Sequence, residues 1–331
     1  IKSAEYFEKS SLLKENRFNQ KSSDTRKLRY ADILRQLGRF EDALVQLDQV
    51  SHENNPDHKM LIRIEKELIR SGDTGIHALP DGNKLHLAIL EKDINACREL
   101  ITKEELLFET NLDGLFPLHL AVELNKLEMA EILAEVKSAL NLKNRQGQTP
   151  LHLAVVKDKL QMTKRLVESG ASTSEVNFSG QSALAIAAKH GRPEIFSYLL
   201  TCSDTKIRDS GGNTLLHLAC AGTEIERTHI VEKLVELNAD VNARNHAAYT
   251  PLHIAVVLAD IETVKLLLKN NAKPDARLSS GETALFICRN DLVNTLIEFG
   301  ADINLKNNKG ETPMVAAILS GDTSRVAAFK A

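Results

Sequence analysis

The chain has 331 residues, of which 43% are hydrophobic and 26% are charged, and its formal net charge is −3. This balance lacks the basic excess typical of nucleic-acid binding, so no nucleic acid is expected as a partner. No run approaches the ~18 consecutive apolar residues of a transmembrane helix, so no membrane span is expected either.

Residues 1–75 carry a helical pattern of their own. Gly38 separates two runs in which apolar residues recur at helical spacing, with Tyr30, Ile33, Leu34 and Leu37 before it and Phe40, Ala43, Leu44 and Leu47 after it. The stretch resembles one tetratricopeptide hairpin, with Gly38, Phe40 and Ala43 at matching places. We expect flanking helices over residues 3–19 and 57–70. The region is predicted to be a helical cap over the rest of the chain or a separate docking region, and residues 71–83 a linker.

Residues 76–331 contain one short pattern eight times. Its fullest copy is Thr-Pro-Leu-His-Leu-Ala, residues 149–154. The positions equivalent to Thr149 are Lys84, Phe116, Ser182, Thr214, Thr250, Thr283 and Thr312, at intervals of 29 to 36 residues. A period near 33 with this pattern resembles the ankyrin-repeat family, over residues 81–331. The resemblance implies an all-α ankyrin-repeat solenoid of about eight repeats, with the N-terminal region as its helical cap.

The copy at 147–171 shows why each repeat forms two short helices. Thr149 is a good N-cap, because its hydroxyl accepts from the backbone N–H three residues later. Pro150 then occupies the first helical position, where the missing N–H costs nothing. Gly170 stands where a helix ends in the left-handed conformation. Two helices this short cannot bury their apolar faces alone, so they need neighbouring repeats.

Five copies carry histidine at the same place, namely His86, His119, His152, His217 and His253. A catalytic group is needed once, whereas a residue repeated at a fixed place has a repeated structural role. In the family this imidazole ties the turn to its neighbours by hydrogen bonds, and the resemblance implies the same here.

Two repeats depart from the usual length. The fifth is three residues longer, with its excess around Glu224 to His229, and the seventh is four residues shorter and has Phe286 in place of histidine. Four residues are about one helical turn, so one helix of the seventh repeat, or both together, is expected to lose a turn. Such changes mark either a functional loop or neutral drift in length.

A row of basic residues precedes the repeated pattern. Six residues before the Thr149-equivalent position the sequence has Lys143, Arg208, Arg244, Arg277 and Lys306. The next position in each repeat is acidic only at Asp209, and reads Asn111, Asn144, Asn177, Asn245, Leu278 and Asn307 elsewhere. A positive stripe of this kind attracts a partner with an acidic surface. A basic residue is also common at this place in ankyrin repeats, so a family habit is the alternative.

Two aromatic residues, Phe178 and Tyr249, interrupt this row and are predicted to be exposed anchors for a partner. The predicted partner-binding residues are Lys143, Arg145, Phe178, Arg208, Arg244, His246, Tyr249, Arg277 and Lys306. Because Arg208, Arg244 and Arg277 should be exposed to solvent, reversing their charges together is expected to leave folding almost unchanged.

Sequence signatures of catalysis are missing. There is no phosphate-binding P-loop, no G-x-G-x-x-G, no G-x-S-x-G and no H-E-x-x-H. We therefore expect no catalytic residue, metal, cofactor or small-molecule substrate. The sequence predicts a non-catalytic scaffold or adaptor that binds another protein on the concave, finger-bearing face of the array.

Two alternative functions stay open. One is the targeting region of a larger enzyme or bacterial effector whose catalytic domain lies outside this chain. The other is a transcription-factor binder similar to the inhibitor-of-NF-κB family. The chain opens at Ile1 without a signal-peptide pattern, and we expect it to be a piece of something longer. Its four cysteines form no C-x-x-C pair, and Cys220 and Cys288 are expected to be buried as small apolar residues. This favours the cytoplasm or another reducing intracellular compartment, in a host cell if the protein is an effector.

Overall fold

The computed structural model describes residues 83–111, 113–222 and 227–330. Two compact units divide the chain, Ile1–Leu120 and Ala121–Ala331. The tetratricopeptide-like hairpin and the flanking helices predicted for residues 1–75 lie outside the described residues. Within the described ranges, no helix has both the length and the apolar character that a membrane crossing requires.

The first unit contains the first helix pair and the start of the second. Helix α1 (Lys84–Glu91) is followed by α2 (Ile94–Leu100) and by a 3₁₀ turn over Glu104–Phe108. Helix α3 (Pro117–Glu123) then begins, and the boundary between the units falls inside it.

The second unit continues with thirteen α-helices in its described part, together with a 3₁₀ turn over Lys137–Ala139. They are α4 (Leu127–Ala134), α5 (Pro150–Val156), α6 (Leu160–Glu168), α7 (Ala183–Lys189), α8 (Pro193–Leu200), α9 (Leu215–Ala221), α10 (Arg227–Glu236), α11 (Pro251–Val257), α12 (Ile261–Lys269), α13 (Ala284–Ile287), α14 (Asn290–Glu298), α15 (Pro313–Leu319) and α16 (Thr323–Ala328). No extended strand occurs among the described residues, where one isolated bridge joins Val176 and Ser182. The predicted all-α fold with eight helix pairs is confirmed.

The local chemistry of the repeat is the one that the sequence predicts. At α5, the Thr149 hydroxyl accepts from the backbone N–H of His152 at 3.4 Å, and Pro150 is the first helical residue. Gly170 follows α6 in the left-handed region, with φ of +98°. Each helix therefore starts and stops within its own repeat.

The helices of the second unit form two layers with the core between them. The first helices of successive repeats pack on one another in chain order, from α5 to α15, and the second helices α4 to α12 do the same. Leu151, Ala154, Leu184 and Leu216 are almost fully buried in this core. The small side chains allow close approach of the helices, and each repeat buries its apolar face only against its neighbours.

The short seventh repeat loses its turn from one helix alone. Helix α13 has four residues, whereas the first helix of the next repeat, α15, has seven. Its N-cap, Thr283, has a buried hydroxyl without a hydrogen-bond partner among the described residues. Phe286 stands at the position where five of the repeats have histidine. The guanidinium group of Arg325 donates to the carbonyls of Phe286 and Cys288, and it thereby satisfies the end of the shortened helix.

The long fifth repeat has its extra residues before α10, and residues 223–226 of that loop lie outside the described ranges. The residue that follows them, Arg227, donates to the carbonyl of Gly222 at the end of α9. It also pairs with Asp260 at 2.7 Å, and both side chains are largely buried. Asp260 is the N-cap of α12, so this pair ties the fifth repeat to the sixth.

Candidate protein-interaction surface

The loops that precede the first helix of each repeat are called fingers here. In the second unit they span residues 143–149, 176–182, 208–214, 244–250, 277–283 and 306–312. Each is closed by backbone hydrogen bonds, as in the finger where Asn144 N–H donates to the Gln148 carbonyl and Gly147 N–H donates to the Asn144 carbonyl, both at 2.9 Å. The fingers are tight turns with a fixed shape.

An asparagine or aspartate side chain braces most of these fingers. The Oδ1 atom of Asn245 accepts from the backbone N–H groups of Ala247 at 3.0 Å and Tyr249 at 2.9 Å. Equivalent contacts occur at Asn144, Asn177, Asp209 and Asn307. This bracing role explains why asparagine recurs at the position after the basic row. From residue charge alone, that position shows only that acidic residues are rare there. A repeated Asn-x-x-Gly spacing in the sequence is the signal for it.

Neighbouring fingers are joined at their tips. The backbone N–H of Ser210 donates to the Ser179 carbonyl at 3.0 Å, and that of His246 donates to the Gly211 carbonyl at 2.9 Å. Gly147, with φ of +72°, lies so close to the next finger that an added Cβ would be 2.8 Å from the backbone nitrogen of Phe178. The tips therefore form a continuous edge whose spacing follows that of the repeats.

Three arginines of the predicted basic row form a hydrogen-bonded ladder along this edge. A guanidinium nitrogen of Arg208 lies 3.1 Å from the Arg244 carbonyl, one of Arg244 lies 2.7 Å from the Arg277 carbonyl, and one of Arg277 lies 2.8 Å from the Lys306 carbonyl. Each guanidinium is thus held beside the backbone of the next basic residue. We call Arg208, Arg244, Arg277 and Lys306 the finger row.

All four side chains of the finger row are exposed. None of them pairs with a carboxylate within the described residues. A guanidinium has five N–H donors, so the ladder leaves donors free on each arginine. The three arginines of the row therefore present fixed positive groups that retain hydrogen-bonding capacity.

The other predicted basic residues are placed differently. Lys143 lies two fingers before Arg208, with Val176 at the equivalent position between them, and its amine is 2.8 Å from the carboxylate of Glu175. This pair neutralises the charge that was predicted for Lys143. Arg145 and His246 are exposed at the finger tips. The continuous part of the stripe is the finger row.

The carboxylates of these fingers are occupied by local contacts. Burial opposes the ionisation of Asp209, but hydrogen bonds from Asn213 and Gly211 outweigh this effect and hold the pKa of Asp209 below its ordinary value. Glu282 accepts from the Ser280 hydroxyl, and Glu311 accepts from the Asn307 amide. The finger that carries Arg244 contains no carboxylate at all.

The two predicted aromatic anchors differ in exposure. The side chain of Phe178 is 74% exposed, and its ring lies against Gly147 of the preceding finger. Tyr249 is only half-buried, because its ring packs edge-on against that of His253, with 5.9 Å between the ring centroids. Phe178 therefore offers the larger apolar surface to a partner.

A second row, of histidines, lies beneath the fingers. We use the name histidine row for His152, His217 and His253, which are buried in the second unit. The Nδ1 atom of His152 accepts from the Thr149 backbone N–H at 3.1 Å, which places the proton on Nε2. That Nε2 donates to the Gln181 carbonyl of the next finger at 3.1 Å. His217 makes the equivalent contact with the Tyr249 carbonyl at 2.9 Å.

Burial keeps these imidazoles neutral. It lowers the pKa of His152 and of His253 to about 4, and it also lowers that of His217, in each case against the opposing effect of the carbonyl contact. In the first unit, His86 has the same contacts, with Asn83 in place of threonine and the Leu115 carbonyl as acceptor. His119 is buried beside the ring of Phe116, at 5.7 Å between centroids. His86, His152, His217 and His253 thus have the hydrogen bonds that the resemblance implies.

Among the described residues, neither a metal-type cluster nor a buried thiol of lowered pKa is found. No group of three or more histidine, cysteine, aspartate or glutamate residues within them has the geometry of a metal site. Burial raises the pKa of Cys97 to about 11 and that of Cys288 to about 12, and it raises that of Cys220 further. These thiols stay protonated at neutral pH and are poor nucleophiles.

A stack of two-helix repeats, with fingers joined into a continuous edge, defines a repeat protein that presents a binding surface. The family model for ankyrin repeats, in groups of three copies, matches overlapping segments between residues 85 and 329. These matches cover well over half of the chain, so the chain belongs to the ankyrin-repeat family. Ankyrin arrays are protein-interaction scaffolds, and this chain is one of them.

Two curated relatives align with part of the array. Over 135 residues the chain is 34% identical to neurogenic locus notch homolog protein 1 of Danio rerio, an alignment covering 39% of this chain and 5% of that protein. Over 159 residues it is 34% identical to the B-cell lymphoma 3 protein homolog of Mus musculus, covering 43% and 35% respectively. The chain thus spans only a small part of the notch relative and about a third of the B-cell lymphoma 3 relative.

A solved structure is also similar. The crystal structure of the ankyrin repeat domain of Bcl-3, described as a unique member of the IkappaB protein family, superposes with a TM-score of 0.54. The sequences are 33% identical, and the match covers 62% of this chain and 94% of the Bcl-3 chain.

Proposed function

We propose that this ankyrin array is a non-catalytic binding module whose protein partner carries an acidic surface and docks along the finger row and Phe178. The observation that carries the proposal is the ladder of Arg208, Arg244 and Arg277. Its guanidinium groups are exposed, fixed to the next finger and unpaired with any described carboxylate. The raised pKa values of the buried thiols, and the lack of a described metal-type cluster, support a role without catalysis.

The energy of such an interface comes from two sources. Exposed ion pairs contribute only about 0.2–1 kcal/mol each, so the finger row acts mainly on association rate and orientation. Phe178, which is 74% exposed, is the side chain best placed to bury apolar surface on binding. The row is therefore expected to set the speed and register of docking, and Phe178 to slow dissociation.

The experiment begins by identifying the partner through affinity capture and mass spectrometry with the full chain. Association and dissociation are then measured for the wild type, for the Phe178→Ala variant and for the triple variant Arg208→Glu, Arg244→Glu and Arg277→Glu. We expect the triple variant to lower the association rate, and the phenylalanine variant to raise the dissociation rate. A triple variant that binds at the wild-type rate in low salt would show that the basic row is only a family habit.

A second candidate function is binding of a transcription factor. The observation that favours it is the similarity to the Bcl-3 ankyrin domain, a member of the IkappaB family by its description. The test is co-purification of this chain with a Rel-type dimer. If no such complex forms when the finger row still captures another protein, this second function is excluded and the first stands.

The third possibility predicted from the sequence is the targeting region of a larger enzyme or bacterial effector. It is compatible with a binding array, because the array then supplies the partner and another domain the chemistry. Identification of a longer native chain with a catalytic domain, and of the compartment in which that chain resides, tests this possibility and the expected reducing intracellular location together.

A further inference from the structure

The finger row has a fixed spacing that a partner must match. Its residues stand at equivalent positions in four successive repeats, whose first helices α9, α11, α13 and α15 pack in order. Packed helices lie about 8–10 Å apart, so the positive groups recur at about that distance. The contacts from each arginine to the next carbonyl keep the groups in line rather than leaving them to move independently.

A polyproline II segment has the same period. It rises about 3.1 Å per residue with three residues per turn, so every third side chain lies on one side at intervals of about 9.3 Å. In a β-strand, residues three apart point to opposite faces, and they cannot all meet one row of cations. In an α-helix, the residues on one face that approach this interval lie seven apart, at about 10.5 Å, which is beyond the helix-packing range.

The surface also suits a narrow, extended ligand. The finger that carries Arg244 has no carboxylate, and its neighbour at Arg277 has Glu282 engaged by Ser280, so the middle of the row is its most positive part. Glycines at the finger tips, such as Gly212 against His246 and Gly281 against Asn308, let neighbouring fingers pack closely, so the tips form a narrow edge. A single line of four cations does not provide the broad basic face typical of duplex nucleic-acid binding.

We infer that the finger row recognises an acidic segment in polyproline II conformation, with Asp or Glu at every third residue over about four such positions. This inference rests on the proposed function and adds the spacing and conformation of the partner's binding segment. Each carboxylate meets one cation of the row, and the positions between them face solvent or the finger tips.

The test uses labelled synthetic peptides and the full chain, with affinity measured by fluorescence anisotropy at low salt. The first peptide repeats Glu-Pro-Ala four times, and the second has the same composition with its glutamates in two adjacent pairs. The third is an alanine-rich helical peptide with glutamate at every seventh residue. Three or four matched ion pairs predict that the first peptide binds about tenfold more tightly than the second.

Two variants, each lacking one positive charge, test whether the finger row causes the preference for the first peptide over the second. Arg244→Gln removes one of the two central cations of the row and keeps a polar side chain. Lys269→Gln removes an equal charge from the exposed end of α12, away from the fingers. We expect Arg244→Gln to weaken the first peptide several-fold more than the second, and Lys269→Gln to affect both equally and slightly.

Several results would overturn the inference. Equal binding of the first two peptides would show attraction without register, and tighter binding of the heptad peptide would show recognition of a helix. Absence of binding by all three peptides, or tighter binding of a single-stranded oligonucleotide, would also exclude the segment proposed here. None of these results removes the proposed function, which fails only if charge reversal of the row leaves association of the captured partner unchanged.

Discussion

The histidine row and the finger row have similar contacts between repeats but differ in the exposure and the remaining hydrogen-bonding capacity of their side chains. Members of each row stand at equivalent positions of different repeats. The histidines and the arginines donate to a carbonyl of the next repeat, as His217 does to Tyr249 and Arg208 does to Arg244. The histidines are buried and neutral, with both ring nitrogens occupied. The arginines are exposed and charged, and they keep donors unused.

Recurrence of a side chain at equivalent positions does not by itself distinguish structural residues from binding residues. A repeated contact indicates that a side chain stabilises the stack. Exposure and remaining hydrogen-bonding capacity indicate which of those side chains is also available to a partner. By this criterion the histidine row contributes stability, and the finger row contributes stability and is the surface that we propose for recognition.

The largest predicted difference between the two rows is in how the free energy of unfolding depends on pH. The pKa values of His152 and His253 are lowered to about 4 in the folded chain, so the unfolded state binds more protons below about 6.5. The stabilisation is complete above that pH and is lost as the pH falls towards about 4, at about 1.4 kcal/mol per pH unit for each histidine. Urea denaturation should show a loss of about 3 kcal/mol from these two groups between about pH 6.5 and pH 5.

The arginines stay charged throughout this range, so they contribute nothing to that loss. A variant in which His152 is replaced by asparagine should therefore show a shallower pH dependence than the wild type. An identical slope for the two proteins would contradict the assignment of the acid sensitivity to the histidine row.

The next largest predicted effect is on the free energy of unfolding when a buried histidine is replaced, compared with an exposed one. His152→Ala should lower the free energy of unfolding by about 1–3 kcal/mol, because the Thr149 N–H and the Gln181 carbonyl lose a buried partner. His246→Ala, at an exposed finger tip, should change it by less than about 0.5 kcal/mol. Partner affinity of the folded fraction should be unchanged by the first substitution; lost binding with an unaltered melting temperature would reverse the two roles.

The finger row should contribute less to stability, but not nothing. The sequence alone predicts that its replacement leaves folding almost unchanged, whereas the structure shows a contact from Arg277 to the Lys306 carbonyl at 2.8 Å. Arg277→Ala should therefore lower the free energy of unfolding by about 0.5–1.5 kcal/mol, the usual contribution of one hydrogen bond. Lys269→Ala on α12 is the control, and a loss no greater than that of the control would show that the ladder does not stabilise the stack.

The smallest predicted effect concerns the loop that carries Arg244. Ala248 has φ of +65° at the position where the other fingers have glycine, and an L-residue pays for the left-handed conformation. Ala248→Gly should raise the free energy of unfolding by about 0.5–1 kcal/mol, since relief of this strain outweighs the added freedom of glycine in the unfolded chain. Calorimetry should detect this gain, and a lower melting temperature would show that the finger is not strained.

The fold could be predicted from the sequence because its signals repeat. Thr149, Pro150 and Gly170 specify the start and end of helices by local chemistry, and the same signals recur near every 33 residues. The shortened seventh repeat was predicted to lose a turn, but only the structure shows that the whole loss falls on α13. The contact by which Arg325 satisfies that helix end joins residues 37 and 39 apart in sequence, and no local pattern predicts it.

The candidate surface could be predicted only in part. The positions and exposure of the finger row follow from the repeat, because equivalent residues occupy equivalent places. The pairing of Lys143 with Glu175 and the packing of Tyr249 on His253 depend on side-chain directions between repeats, which the spacing does not specify. The bracing by Asn245 and its equivalents depends on hydrogen bonds accepted by the side-chain oxygen, which the charge of the residue does not reveal.

The central claim, that the finger row binds the partner, is tested most directly by the salt dependence of the association rate. The wild type and the triple variant Arg208→Glu, Arg244→Glu and Arg277→Glu would be compared with the captured partner by stopped-flow mixing over a range of salt concentrations, after circular dichroism has verified that the variant is folded. We expect fast association that salt suppresses in the wild type, and slower association with a flat or reversed salt dependence in the variant. Equal rates and equal salt dependence in the two proteins would contradict the claim.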